Sequence, residues 1–175
     1  MGGISMDIRI GVISDTHLKD SEWQALQTLF RENGVFHGVQ YIIHAGDYTS
    51  HAVVDFLLTL DIKFYGVRGN MDDMVIQSEL PDKRIVQIND DMKIGITHGW
   101  GAPSGLDKRV YDYINRPDLN VIVFGHSHKP TNKIIGSTLM FNPGSFKNSI
   151  FSPGRTVGLL TVTEEGDVTG EIINV

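Results

Sequence analysis

The sequence predicts a mixed α/β domain in which two β-sheets face one another with helices outside. Three observations lead there. In the first half, short β-rich runs alternate with amphipathic stretches, as in "DIRIGVIS", "SEWQALQTLFREN" and "VQYIIHAGD". That order builds a parallel sheet with right-handed crossovers. The second half is mostly β-rich and doubles back at turns, which calls for further strands stacked against the first set. Hydrophobic residues make up 41% of a 175-residue chain, enough to fill a sizeable core.

Each element has its own signal. Asp7–Ser14 reads as a buried strand. In the next stretch Ser21 stands as N-cap with Gln24 three residues on, a capping box, and Trp23, Leu26, Leu29 and Phe30 share one helical stripe. "VQYIIHAGD" is a second strand, "HAVVDFLLTL" a second helix begun at His51, and "IKFYGVRGN" a third strand. Past "LPDK", the runs "RIVQIND" and "MKIGITHG" form a hairpin turning at Asn89–Asp91. A helix over Leu106–Ile114 is ended by Pro117 and followed by the strand "NVIVFG". Two hairpins close the chain, turning at Gly136–Ser137 and Glu165–Asp167. No repeat or linker interrupts this series, so a single domain is expected over residues 6–175. Met1–Ser5 read as a cloning remnant or flexible tail, with Met6 as the native start.

Composition removes several function classes. The absence of cysteine rules out disulfides, thiolate catalysis and cysteine-based zinc or iron–sulfur sites, and fits a cytoplasmic location. A net charge of −6 without a basic block argues against an extended nucleic-acid surface. No apolar stretch is long enough to cross a bilayer, and the N-terminus lacks signal-peptide features. Assembly into a homo-oligomer is left open.

The chemistry gathers at strand ends. Strand one ends in "SDTH" with Asp15 and His17, and strand two in "HAGD" with Asp47. Strand three ends in "VRGNMD" with Asn70 and Asp72. "KIGITHG" delivers His98, and "NVIVFGHSH" delivers His126 and His128. Ligands of open α/β sheets bind beyond the carboxyl ends of the strands, so these groups should converge. Imidazole with carboxylate and amide oxygen suits manganese, iron, zinc or nickel better than calcium. Seven donors exceed what one open site needs and match two divalent metals sharing a carboxylate. Such a centre stays positive, so the expected partner is a small anionic molecule, with a phosphate ester the obvious choice.

The series "DTH … GD … GN … THG … GHSH" resembles the calcineurin-like metallophosphoesterase superfamily, and with "NPGS" at Asn142–Ser145 it is most similar to its small single-domain phosphodiesterases. The resemblance spans nearly the whole chain from Met6. It implies a four-layer α/β/β/α sandwich of two mixed sheets flanked by helices. It also implies two metal ions, Mn2+ favoured and Ni2+, Fe2+ or Zn2+ acceptable. Asp15, His17 and His128 would hold the first, and Asn70, His98 and His126 the second. Asp47 would bridge them. Asp47, Asn70 and His98 would serve catalysis, in which a water between the metals loses a proton and attacks a phosphodiester in line. Two alternatives carry the same motifs: a phosphomonoesterase, and a protein-interaction scaffold like the related subunit of the retromer sorting complex, with weak or no hydrolysis. One position departs from the pattern. Met71 stands where many members keep a histidine that protonates the leaving group, and methionine has no proton to give.

Other residues near these motifs have plainer readings. His37 belongs to a surface turn, and His44 is structural rather than a ligand. Asp72 either orients a ligand or marks a helix start or turn. Arg68 either meets substrate phosphate or forms a surface ion pair, the second being favoured. Asn142, Gly144 and Ser145 either shape a pocket wall or make a simple turn.

Overall fold

The computed structural model describes residues 7–148 and 154–175. The tail and start expected at Met1–Met6 lie outside the described residues. Along the chain run β1 (Ile8–Ile13), a 3-10 turn (Trp23–Leu26) leading into the single-turn α1 (Gln27–Phe30), β2 (Tyr41–His44), α2 (His51–Thr59), β3 (Lys63–Gly66) and α3 (Met74–Glu79). Then come β4 (Lys83–Gln87), β5 (Lys93–Thr97), α4 (Leu106–Ile114), β6 (Val121–Val123), β7 (Thr131–Ile135), β8 (Thr138–Asn142), β9 (Thr156–Val162) and β10 (Val168–Asn174).

Two five-stranded mixed sheets result, ordered β10-β9-β1-β2-β3 and β4-β5-β6-β8-β7. In the first, β1, β2 and β3 run parallel and the β9–β10 hairpin joins antiparallel to β1. In the second, β5, β6 and β8 run parallel, flanked by antiparallel β4 and β7. Alternation along the strands decides which side chain meets which layer. Ile10, Val12, Ile43, Ile94, Ile96, Val121, Val123 and Phe141 pack between the sheets. Ile13 and Ile42 point the other way, onto Leu26 of the 3-10 turn and Leu29, Val53, Leu57 and Ile76 of the first three helices. Ile122 and Met140 meet Leu106, Val110 and Ile114 of α4. The order is therefore helices, sheet, sheet, helix, the expected four layers.

Local readings fared unevenly. The helix over Leu106–Ile114 forms with those bounds, and Asn89 turns the β4–β5 hairpin by accepting from the Asp91 and Met92 amides. The capping box at Ser21 does not form. Instead Glu22 reaches back to the Lys19 amide at 2.9 Å, and the helix ends at Phe30 rather than near Asn33. The chain turns there because Phe36 folds back into the core beside Leu29, its amide bonding the Leu29 carbonyl at 2.8 Å. Helix α3 was foreshadowed only by the helix start considered at Asp72, one residue before the actual cap. Its N-cap is Asp73, whose side chain accepts from the Ile76 amide at 2.9 Å.

Candidate metal centre

Asp15, His17, Asp47, Asn70, His98, His126 and His128 all meet at one end of the sandwich. The first three, with Asn70, follow strands β1, β2 and β3; the last three follow β5 and β6. Among the described residues, two donor groups could hold a metal ion: Asp15 with His17 and His128, and Asp15 with Asp47 and His98. Asp47 Oδ2 lies 3.6 Å from His17 Nε2 and 3.3 Å from His98 Nε2, so one carboxylate reaches both halves of the cluster. Asn70 Oδ1 stands 3.1 Å from His98 Nε2 and 2.9 Å from His126 Nδ1. Asn70 and His126 thereby extend the second group.

The hydrogen bonds behind these side chains set their tautomers. A carbonyl can only accept, so His98 Nδ1 donates to Ala45 at 2.7 Å and His126 Nε2 donates to Gly101 at 2.9 Å. The remaining nitrogen of each ring faces Asn70 Oδ1. A proton on His98 Nε2 serves its contacts to Asn70 Oδ1 and Asp47 Oδ2, the position that a divalent cation would take in its place. Asp15 makes the same case from the other side. Its Oδ2 accepts from Ser14 Oγ at 2.6 Å and from the His126 amide at 3.1 Å, whereas its buried Oδ1 faces no donor other than the ring nitrogens of His128, 3.2 Å away, and His17, 3.8 Å away. A buried carboxylate oxygen is costly unless something positive binds it. The donor set therefore fits divalent metal ions.

Electrostatics follow the same geometry. Burial opposes charge on His98, but the Asp47 carboxylate outweighs it and raises the imidazole pKa to about 9. The Asp47 carboxyl is opposed by burial too, yet its bond from His98 holds it below the usual carboxylate range. Burial lowers His17, whereas hydrogen bonding to Asp15 raises His128, and their Nε2 atoms sit 3.2 Å apart.

Holding these groups strains the chain. Asp15, His17, Asp47, His126 and His128 all have positive φ, between 44° and 68°, in the left-handed region. Such conformations cost roughly 1–2 kcal/mol each for an L-residue. Close approach adds a second demand: a Cβ at Gly69 would collide with the Asp47 carboxylate, and one at Gly125 with Ser14 Oγ. Clustered backbone strain of this kind is a feature of functional sites.

Support comes from residues whose roles the sequence left open. Asp72, its pKa raised by burial, accepts from the amides of Asp47 (3.1 Å), Thr49 (2.9 Å) and Gly69 (2.6 Å), and so joins the loops after β2 and β3. Asn142 donates to the Gly125 carbonyl at 2.8 Å, and Ser145 Oγ donates to the Asp15 carbonyl at 2.9 Å. The "NPGS" element is thus a brace behind two donor loops. His44 is buried, stacked on Tyr48 with ring centroids 3.7 Å apart, and takes the Gly46 amide on Nδ1. It is structural, as read. His37 is exposed on a turn. Arg68 departs from the favoured reading: its guanidinium donates to the Gln77 carbonyl at 2.8 Å and lines a cleft beside Asn70 and His98. The acidic pair Asp72–Asp73, two residues past Asn70, was the available signal for both the brace and the cap of α3.

A two-sheet sandwich that gathers imidazole and carboxylate at its strand ends is the architecture of a metal-dependent phosphoesterase. The chain belongs to the calcineurin-like phosphoesterase superfamily, whose domain matches residues 8–165. It is 39% identical over 137 residues to a probable metallophosphoesterase of Methanocaldococcus jannaschii, covering 78% of this chain and 67% of that protein. Among solved structures, an archaeal phosphodiesterase superposes with a TM-score of 0.70 at 25% identity, over 95% of this chain and 100% of that one. Vps29 of Chaetomium thermophilum shares the fold, with a TM-score of 0.70 at 19% identity over 96% and 97% of the two chains. No helix among the described residues is long and apolar enough to cross a membrane.

Proposed function

We propose that the protein is a binuclear-metal phosphodiesterase, one domain over residues 6–175, acting in the cytoplasm on a small anionic phosphodiester. One observation carries the reading: imidazole and carboxylate groups from both sheets converge within ligand distance of one another, as Asp15 with His17 and His128 and as Asp15 with Asp47 and His98. Asp15, His17 and His128 would hold one ion, and Asn70, His98 and His126 the other, with Asp47 shared. Nitrogen and oxygen donors without sulfur favour manganese, with nickel, iron or zinc as substitutes. Two divalent cations, when bound, supply charge for the phosphoryl oxygens and acidify a water nucleophile.

The chain's own groups do the remaining work. The Ala45 and Gly101 carbonyls fix the rings of His98 and His126 so that each presents a lone pair. Asp72 holds the Asp47 loop in its strained shape. Arg68, on the cleft wall, offers a positive charge to the arriving anion. A diester is favoured over a monoester because a relative in fold carries the name phosphodiesterase.

The test compares bis(p-nitrophenyl) phosphate with p-nitrophenyl phosphate before and after chelation. Diester turnover should exceed monoester turnover, vanish with EDTA and return with manganese. Undiminished turnover in protein shown to be metal-free would refute the metal mechanism. The likeness to Vps29, together with Met71, favours a second reading as a protein-interaction scaffold. A metal-loaded protein inert toward every diester and monoester tried would select it.

A further inference from the structure

Beside the metal centre lies a cleft of about 330 Å³. Besides Asn70, His98 and Arg68, it is lined by Trp100, Tyr113 and Asp82, to which the reaction chemistry gives no part. The two aromatic rings meet edge to face, centroids 5.0 Å apart at 80°, yet Trp100 is 45% exposed and Tyr113 37%. Large aromatic rings left open to water next to a reactive centre need a reason, because burial would stabilise them.

These rings are held in place. Arg109 donates to the carbonyls of Trp100, Ala102 and Ser104, clamping the loop after β5. The same loop offers the Gly101 carbonyl to His126, so the Trp100 backbone and a metal-site imidazole share one support. Tyr113 is fixed at its far end by donating to Asp82 at 2.7 Å, and Lys83 Nζ lies 4.3 Å from its ring centroid. The wall is therefore a preorganised π-surface with hydrogen-bonding groups at its edge and cations beside it. That combination suits a planar heterocycle joined to an anion. A saturated alcohol would gain nothing from the rings, and a plain hydrocarbon nothing from Asp82 and Arg68.

We infer that the Trp100–Tyr113 wall is a specificity pocket for a nucleobase, so the substrate class is a nucleoside phosphodiester whose base stacks there while its phosphate meets Asn70 and His98. This rests on the phosphodiester reading above, but the two can fail separately.

The experiment is calorimetric binding to the manganese-supplemented protein. A nucleoside 5′-phosphonate, whose carbon–phosphorus bond resists hydrolysis, is compared with the matching ribose 5-phosphonate, which lacks the base. Base stacking on an aromatic platform predicts about tenfold tighter binding of the nucleoside compound. In Trp100→Ala that preference should shrink to about twofold or less, whereas Trp100→Phe, which keeps a ring and tests against misfolding, should retain most of it. Equal affinities in the wild-type protein, or a preference untouched by Trp100→Ala, would overturn the inference. A protein that hydrolyses diesters yet binds both phosphonates alike loses only the pocket. One that prefers the nucleoside compound but hydrolyses no diester keeps the pocket and loses the proposed reaction.

Discussion

Asp47 shows how much one side chain can be asked to do. Its Oδ2 faces His17 and His98, while its Oδ1 accepts the Met71 amide at 2.8 Å. Asp47→Ala should therefore strip metal from both halves of the cluster. Turnover should fall by more than the ~10–100-fold typical of a group that merely supports a ligand. His37→Ala, on an exposed turn, should change neither metal content nor rate. Elemental analysis and diester assays on the two variants check this, and near-normal stoichiometry in Asp47→Ala would remove Asp47 from the bridge. Met71 makes a different prediction. Its backbone is tied to Asp47 but its side chain is 59% exposed and carries no proton. General-acid help contributes ~10²–10⁴-fold where it exists. Rates should thus fall steeply from aryl to alkyl diesters as the leaving group becomes more basic. A flat series with chemistry rate-limiting would mean another donor; buried His44, locked against Gly46 and Tyr48, is not placed to be it.

At the scale of elements, the helices do more than cover the sheets. His51 opens α2 and reaches Glu79 at the end of α3 (2.8 Å) as well as Asp55 on its own helix (3.1 Å). Glu79 and then Asp55 raise its pKa above the ordinary 6.5. The sign follows from that direction. A group whose folded pKa is raised stabilises the fold fully below the unfolded value, and the contribution disappears as pH rises through the folded one. His51→Gln should cost up to ~1 kcal/mol in mildly acidic, low-salt buffer, as expected for a largely exposed pair, and almost nothing in alkaline buffer. Urea titrations of both proteins at the two pH extremes measure the gap. A cost independent of pH would show that His51 acts through packing or helix geometry alone.

Across the whole molecule, the donors come from both sheets: Asp15, His17, Asp47 and Asn70 from one, His98, His126 and His128 from the other. Metal ions held there would tie the two halves of the sandwich together, and binding only the folded state would stabilise it by mass action. Metal at ~100 times its Kd adds about 2.7 kcal/mol. For a chain of this size, that converts to a drop of about 5–10 °C in the unfolding midpoint on chelation. Calorimetry with and without EDTA reads it, and an unmoved midpoint would mean that the folded protein holds no tightly bound metal.

Sequence periodicity was enough to find the ten strands in chain order, from "DIRIGVIS" to the closing hairpin, because strand and helix write different hydrophobic periods into the chain. The identity of the donors was legible too, since each stands directly after an apolar run and its chemistry is intrinsic to the residue. Tertiary structure decided the rest. Whether Ser21 caps a helix depends on Phe36 returning to the core, and α3 is too short for its periodicity to stand out. Asp72 bracing three amides from two loops, and Trp100 turning toward Tyr113 beside His98, join residues far apart in the chain. The left-handed backbone at Asp15, His17, Asp47, His126 and His128 is the clearest case. No local preference calls for it, and only the packed sheets and their cross-loop hydrogen bonds can hold five side chains in that strained arrangement.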